Sequence, residues 1–151
     1  KEGEMMFGIM CSIASYEKEL IRERMMSGRI TKVQNGIRGY GSKLPFGYIK
    51  NTDGEIVLDE DNSKIVKYIF SKMNSLIKNP KLTKSKRTRR LLKLLQNRHL
   101  TYNGKPFTRW NVRDILNNTF YFGELKYGEI KTNHIYQPIV SKRLFNQICF
   151  G

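Results

Sequence analysis

From residue 4 to residue 35 the chain carries apolar side chains at helical spacing and has no proline. Met6, Ile9, Met10, Ile13, Leu20 and Ile21 recur along it, while Glu17, Lys18, Glu19, Arg22, Glu23 and Arg24 fill polar positions. This spacing predicts one unbroken helix. A helix of ~30 residues would reach ~45 Å, longer than a small domain can cover. Local charge does not hold it: Glu19–Arg22 attract at i,i+3, but Lys18–Arg22 and Glu19–Glu23 repel at i,i+4. The apolar stripe therefore requires cover from a partner subunit or a neighbouring domain.

Gly36, Gly39 and Gly41 end that helix, and Pro45 and Gly47 follow. Residues 36–48 read as an extended connector. It is either a plain tether or an arm whose Arg38 and Lys43, with no acid beside them, lie against phosphates or enter a minor groove. Beyond it, Asp53-Gly54 between Tyr48-Ile49 and Ile56-Val57-Leu58 predicts a hairpin. The acids from Asp59 to Asp61 suit the start of a helix, whose broad apolar face (Ile65, Val66, Ile69, Phe70, Met73, Leu76, Ile77) predicts core, and Asn79-Pro80 stops it. A third helix is expected over 84–97. A fourth is expected over 108–117, capped by Thr108, with Trp110, Ile115 and Leu116 packing inward. Two strands are expected on either side of Gly128, then a last helix capped by Ser141. The resulting class is α+β and mainly helical: a long N-terminal helix (1–35), a glycine-rich arm (36–48), and a helix-turn-helix-like domain with small β-hairpins (49–151).

Charge divides the chain sharply. Between Asp61 and Asp114 there is no acidic residue but fifteen Lys and Arg, which equals the net charge of +15 for the whole chain. Such a concentration predicts a polyanionic partner, nucleic acid first. An anionic membrane surface is the alternative, but no amphipathic lysine helix with a Trp/Phe face and no apolar run near ~18 residues is present. The run Lys84, Lys86, Arg87, Arg89, Arg90 suits phosphate positioning. Arg109, Asn111 and Arg113 have the side chains that best match guanine and adenine edges in a major groove, and Lys105 and Thr108 lie at the entry to their helix. The two following strands could form a wing beside such a helix pair. The plain alternative is a helical pair with a solvated polar face.

Autonomous chemistry is not predicted. Cys11, Cys149, His99 and His134 lack the paired spacings of zinc sites, so neither metal nor cofactor is expected. No glycine-rich loop leads into Lys-Ser/Thr, and Ser12, Ser15 and Ser27 have no local histidine as base. Two cysteines at opposite ends and no secretory segment suggest a reduced, cytoplasmic setting. The start at Lys1 and the abrupt end at Cys149-Phe150-Gly151 suggest a piece of a longer protein.

At three places the residues resemble the large serine recombinases, the integrase and transposase branch of the resolvase/invertase family. Ile13-Ala14-Ser15-Tyr16-Glu17-Lys18-Glu19-Leu20-Ile21-Arg22-Glu23-Arg24 is similar to the family's "iAefErelIreR" helix. Gly36, Gly39 and Pro45-Phe46-Gly47-Tyr48 match its connector ending in "PyGY". Ile115-Leu116-Asn117-Asn118 with Tyr121-Phe122-Gly123 resembles "v..iL.Np.Y.G". The resemblance implies exchange of strands between two DNA sites through a phosphoseryl link, made by a serine in a domain preceding Lys1, without metal or high-energy cofactor. It implies double-stranded DNA as partner, with dimers and a synaptic tetramer joined through the long helix. It makes Arg24, which closes the "ER" motif, a candidate accessory to catalysis, whereas Lys18 stands where the family often has Arg. Zinc-bearing and coiled-coil regions would lie beyond Gly151. Two other classes remain open on the residues alone: an autonomous DNA-binding regulator with a dimerisation helix, and an RNA-binding protein, although the aromatics are not grouped as a stacking motif on a sheet.

Overall fold

The structure, a computed structural model, describes residues 1–149; Phe150 and Gly151 lie outside the described residues. The order of elements is α1 (Glu2–Gln34), β1 (Tyr48–Lys50), β2 (Ile56–Leu58), α2 (Glu60–Ile77), α3 (Lys84–Asn97), β3 (Thr101–Tyr102), β4 (Lys105–Pro106), α4 (Arg109–Asn117), a 3-10 turn (Thr119–Phe122), β5 (Glu124–Tyr127), β6 (Ile130–Asn133) and α5 (Lys142–Cys149). Each strand pair is an antiparallel hairpin of its own. The expected class, α+β and mainly helical with small hairpins, is the one observed.

Helix α1 is continuous over 33 residues. Met5, Met6, Phe7, Ile9, Met10, Ile13, Tyr16, Ile21, Met25 and Met26 along it are exposed, and Val33 is the one residue of the helix that is buried. The last turn is fastened to the β5–β6 hairpin. Thr132 Oγ1 donates to the Val33 carbonyl at 2.7 Å, and the Ile135 N–H donates to the Gly36 carbonyl at 3.2 Å. The Val33 carbonyl thus accepts from Thr132 as well as from the Gly36 N–H at 2.9 Å, which ties the end of α1 to the hairpin. Gly36 has φ +75°, and a Cβ there would come within 2.5 Å of the Asn133 carbonyl oxygen, so glycine is what allows this approach.

The connector is pinned to the domain and is not a free tether. The Arg38 N–H donates to Tyr136 Oη at 3.0 Å, and Tyr40 Oη donates to the Lys126 carbonyl at 2.6 Å. Phe46, Gly47 and Tyr48 enter the core. Gly47 (φ +99°) lies against Ile139 and Val66, where a Cβ would sit 3.1 and 3.2 Å from their methyl groups.

The core of the remaining domain gathers Val66, Ile69, Phe70 and Met73 of α2, Leu91 and Leu95 of α3, Val112 and Ile115 of α4, Phe145 and Ile148 of α5, and Phe120, Tyr121 and Leu125. Helix α2 is capped by Asp59, whose side chain accepts from the Asp61 and Asn62 N–H groups. Tyr121 stands at the centre with its hydroxyl on the Phe46 carbonyl at 2.7 Å. Burial pushes the Tyr48 and Tyr121 phenols well above their ordinary range, so both act as donors.

His134, with no partner visible in the sequence, is buried beside this core. Its Nδ1 accepts the Tyr136 N–H at 3.1 Å, so the Nε2 that lies 2.6 Å from the Phe120 carbonyl carries the proton. The ring is thus neutral, and burial lowers its pKa below the ordinary 6.5. The unfolded chain takes up a proton near 6.5 while the folded chain resists it, so the stability contributed is complete above that value and falls as pH drops toward the lower folded pKa. Urea unfolding at a series of pH values should show this decline below 6.5, and His134→Gln should remove that part of the pH dependence. A decline of unchanged size in His134→Gln would assign it to other groups.

Candidate nucleic-acid interface

Helix α3 is set against its own local electrostatics. Its first turn contains Lys84, Lys86 and Arg87 and no acid, so the charges oppose the positive end of the helix dipole. Lys86, Arg89, Arg90 and Lys93 then stand three and four residues apart on the exposed side, where like charges repel by about 0.2–0.5 kcal/mol per pair. The ion pair found among the described residues is Lys64–Glu60 on α2, so none of their carboxylates neutralises this ridge. What holds α3 is the opposite side, where Leu91 and Leu95 are fully buried, together with the Thr83 cap on the Lys86 N–H. The ridge therefore stands exposed and without a carboxylate partner among the described residues.

Helix α4 packs against α3, but the two are not joined by a short turn. Residues 98–108 between them contain the β3–β4 hairpin, turned by Asn103 (φ 50°) and Gly104 (φ 79°). The hairpin expected as a wing, β5–β6, packs on the 3-10 turn and on α1. Its strands are visible in the sequence but their neighbour is not, because the bonds that hold them to α1 join residues about a hundred positions apart.

The start of α4 is a reciprocal cap. The Asn111 N–H donates to Thr108 Oγ1 at 3.2 Å, while Asn111 Oδ1 receives the Thr108 N–H at 2.9 Å and the Thr108 hydroxyl at 2.7 Å. Asn111 therefore commits its acceptor oxygen to the helix end, and a bidentate contact with adenine would break that bond. Trp110 corrects the sequence expectation: it does not pack inward but is 69% exposed. The helical period explains this. Val112 and Ile115 mark the buried face, and Trp110, two residues before Val112, falls about 200° around the axis from it.

The side chains expected at the site group as follows. Lys84, Arg87, Arg109 and Arg113 line one cleft of about 790 Å³ between α3 and α4, with Trp110 on its wall and Met73, Ile77, Val112, Leu116 and Ile148 supplying apolar lining. The Arg113 guanidinium stacks 5.7 Å from the Trp110 ring centroid. Cys149 also lines the cleft, its thiol pushed up by burial against the opposing pull of Lys84. Lys86, Arg89 and Arg90 form the exposed ridge beside the cleft, and Lys105 is exposed on β4 at the entry to α4. The remaining candidates lie elsewhere. Lys43 is exposed on the connector. Arg38 is half-buried and folded back, donating from Nη2 to the Lys43 carbonyl at 2.7 Å, with its guanidinium 5.3 Å from the Tyr40 ring and 5.9 Å from Phe120. Arg24 is exposed on α1. Among the described residues no group of three or more His, Cys, Asp and Glu could hold a metal ion, and no helix is long and apolar enough to cross a membrane.

If Asn111 acts by holding the helix end, Thr108→Ala and Asn111→Ala should each lower stability, by about 0.5–2 kcal/mol for the loss of a cap. The double variant should lose less than the sum, because the two residues form one unit. Thermal unfolding of the three variants checks this, and strict additivity would contradict it.

Comparison with known proteins places this geometry. The family model described as Recombinase matches residues 60–149. A protein of Bacillus subtilis (strain 168) described as a candidate DNA recombinase is 33% identical over 149 residues, which is 97% of this chain and 28% of that protein. The chain thus spans little more than a quarter of that relative. Two solved structures share the fold. One, described as an LSR–DNA complex, has a TM-score of 0.68 at 22% identity, over 84% of this chain and 38% of the other. The second comes from work on the sequence requirements of the Listeria innocua prophage attP site. It has a TM-score of 0.66 at 21% identity, over 84% of this chain and 50% of the other.

Proposed function

The chain belongs to the Recombinase family, and from that premise we propose that it is the DNA-binding part of a site-specific serine recombinase. The observation that carries this reading is the basic surface of α3 and α4: an acid-free ridge beside a cleft on which Lys84, Arg87, Arg109 and Arg113 converge. Phosphate would settle on the ridge and on the α3 N-terminus, where N–H groups and dipole both favour an anion. Arg109 and Arg113 would then meet base edges, while Thr108 and Asn111 hold the helix end that presents them, and Lys105 adds a phosphate contact. Lys43 would touch the backbone from the connector, and Arg38 would shape the connector beneath it.

The reading divides the chain into a long oligomerisation helix (1–35), a connector (36–48) and a DNA-binding domain (49–151). The exposed apolar residues of α1 would be covered by a second copy, giving the dimers and synaptic tetramer of the whole enzyme. The nucleophilic serine would belong to a part of the enzyme outside these residues, and Arg24 would assist there. No metal or cofactor enters the role proposed for this chain.

The test is direct. Incubated with supercoiled plasmid and with short duplexes, this chain should retain duplex DNA and leave no protein-linked DNA after denaturation. A covalent adduct formed by these residues alone would contradict the assignment of chemistry to another part. Failure to retain any duplex would contradict the DNA-binding role.

A further inference from the structure

We propose that Trp110 contacts the C5-methyl group of a thymine in the major groove of the bound duplex. The inference rests on the reading of α3 and α4 as the duplex-facing surface, and it adds a side chain that the charge pattern does not reveal. Trp110 is the chain's single tryptophan, and its large apolar ring is 69% exposed. It stands in the first turn of α4 between Arg109 and Arg113, on the same cleft as Lys84 and Arg87. Arg113 lies over the ring at 5.7 Å and limits its freedom. When these cations settle on a duplex, the ring is carried to the groove with them.

The groove then limits what the indole can meet. Base edges in the major groove present hydrogen-bonding groups, and their one projecting apolar group is the thymine methyl. Stacking on a base instead would require that base to leave the helix, at a cost of a few kcal/mol. An intact duplex therefore favours the methyl contact. A site of this kind distinguishes T·A from C·G without a hydrogen bond, and so complements the arginines.

The experiment uses the whole chain and a duplex recovered by selection from a randomised pool. Each thymine of that duplex is replaced in turn by deoxyuridine, which removes the methyl and keeps the pairing edge. The chain should lose about fourfold in affinity at one or two positions, the effect of one buried methyl. Trp110→Ala should bind more weakly and be indifferent at those same positions, and Trp110→Phe should keep part of the sensitivity. Lys86→Ala, as control, should weaken every duplex and keep the sensitivity intact. A chain indifferent at every thymine, or a Trp110→Ala variant as sensitive as the unaltered chain, overturns the inference while leaving the DNA-binding role standing. A chain that recovers no duplex overturns both.

Discussion

Replacing Lys86, Arg89, Arg90 and Lys93 together by Gln should flatten the salt dependence of duplex binding by up to about 3.6 in logarithmic slope, or ~0.9 for each phosphate no longer neutralised. Taking 1 M salt as the reference, that is a reduction of up to about four-thousandfold in affinity at 0.1 M. The reduction should be the same for selected and random sequences, because phosphate contacts position the protein without reading bases. The fold should not suffer. The four side chains are exposed on α3, they repel one another, and no carboxylate pairs with them among the described residues. Removing them relieves repulsion, so the variant should be no less stable than the unaltered chain. Fluorescence anisotropy across a salt series, with urea unfolding as control, separates the two effects. An unchanged slope would mean that the ridge faces solvent in the complex.

Truncating Tyr121 to Ala should have the largest effect on stability. The side chain is 1% exposed, its ring packs near Tyr48 and Phe70, and its hydroxyl donates to the Phe46 carbonyl. Its own backbone carbonyl receives both the Ile139 and Val140 N–H groups. Loss of a buried aromatic ring costs about 3–5 kcal/mol, against a total stability of about 5–15 kcal/mol for a domain. Tyr121→Phe keeps the ring and strips the Phe46 carbonyl of its donor, for about 1–3 kcal/mol. Urea unfolding of both variants checks the order. A Phe variant as damaged as the Ala variant would move the weight from the ring to the hydrogen bond.

The helices are legible in the sequence because each carries its own signal. The basic run and the leucines after it place α3 at 84–97, and Asp59, Thr108 and Ser141 mark helix starts that the structure retains. The hairpin at Asp53-Gly54 is legible for the same reason, since its turn chemistry is local. What escapes is long-range. Tyr121 to Phe46, Tyr40 to Lys126 and Thr132 to Val33 join residues tens of positions apart, and no local pattern announces them. The connector therefore reads as an extended arm, although Tyr40 and Arg38 tie it to the β5–β6 hairpin and the segment after it. Trp110 escapes for another reason. Hydrophobicity groups it with Ile115 and Leu116, whereas its angle from Val112 turns it off the buried face. At the candidate interface, charge identifies the region, but composition does not tell Asn111, which caps, from Arg113, which stacks on the cleft wall.

The basic surface of α3 and α4 should lie against duplex DNA. Lysine acylation followed by mass spectrometry, with and without a duplex of about thirty base pairs, tests this most directly. Lys84, Lys86 and Lys93 on α3 and Lys105 at the entry to α4 should become protected on adding DNA. Lys64, paired with Glu60 on α2, should react as before. Lysines of α3 that stay as reactive as in the free chain, with protection confined to other elements, would contradict this placement of the duplex.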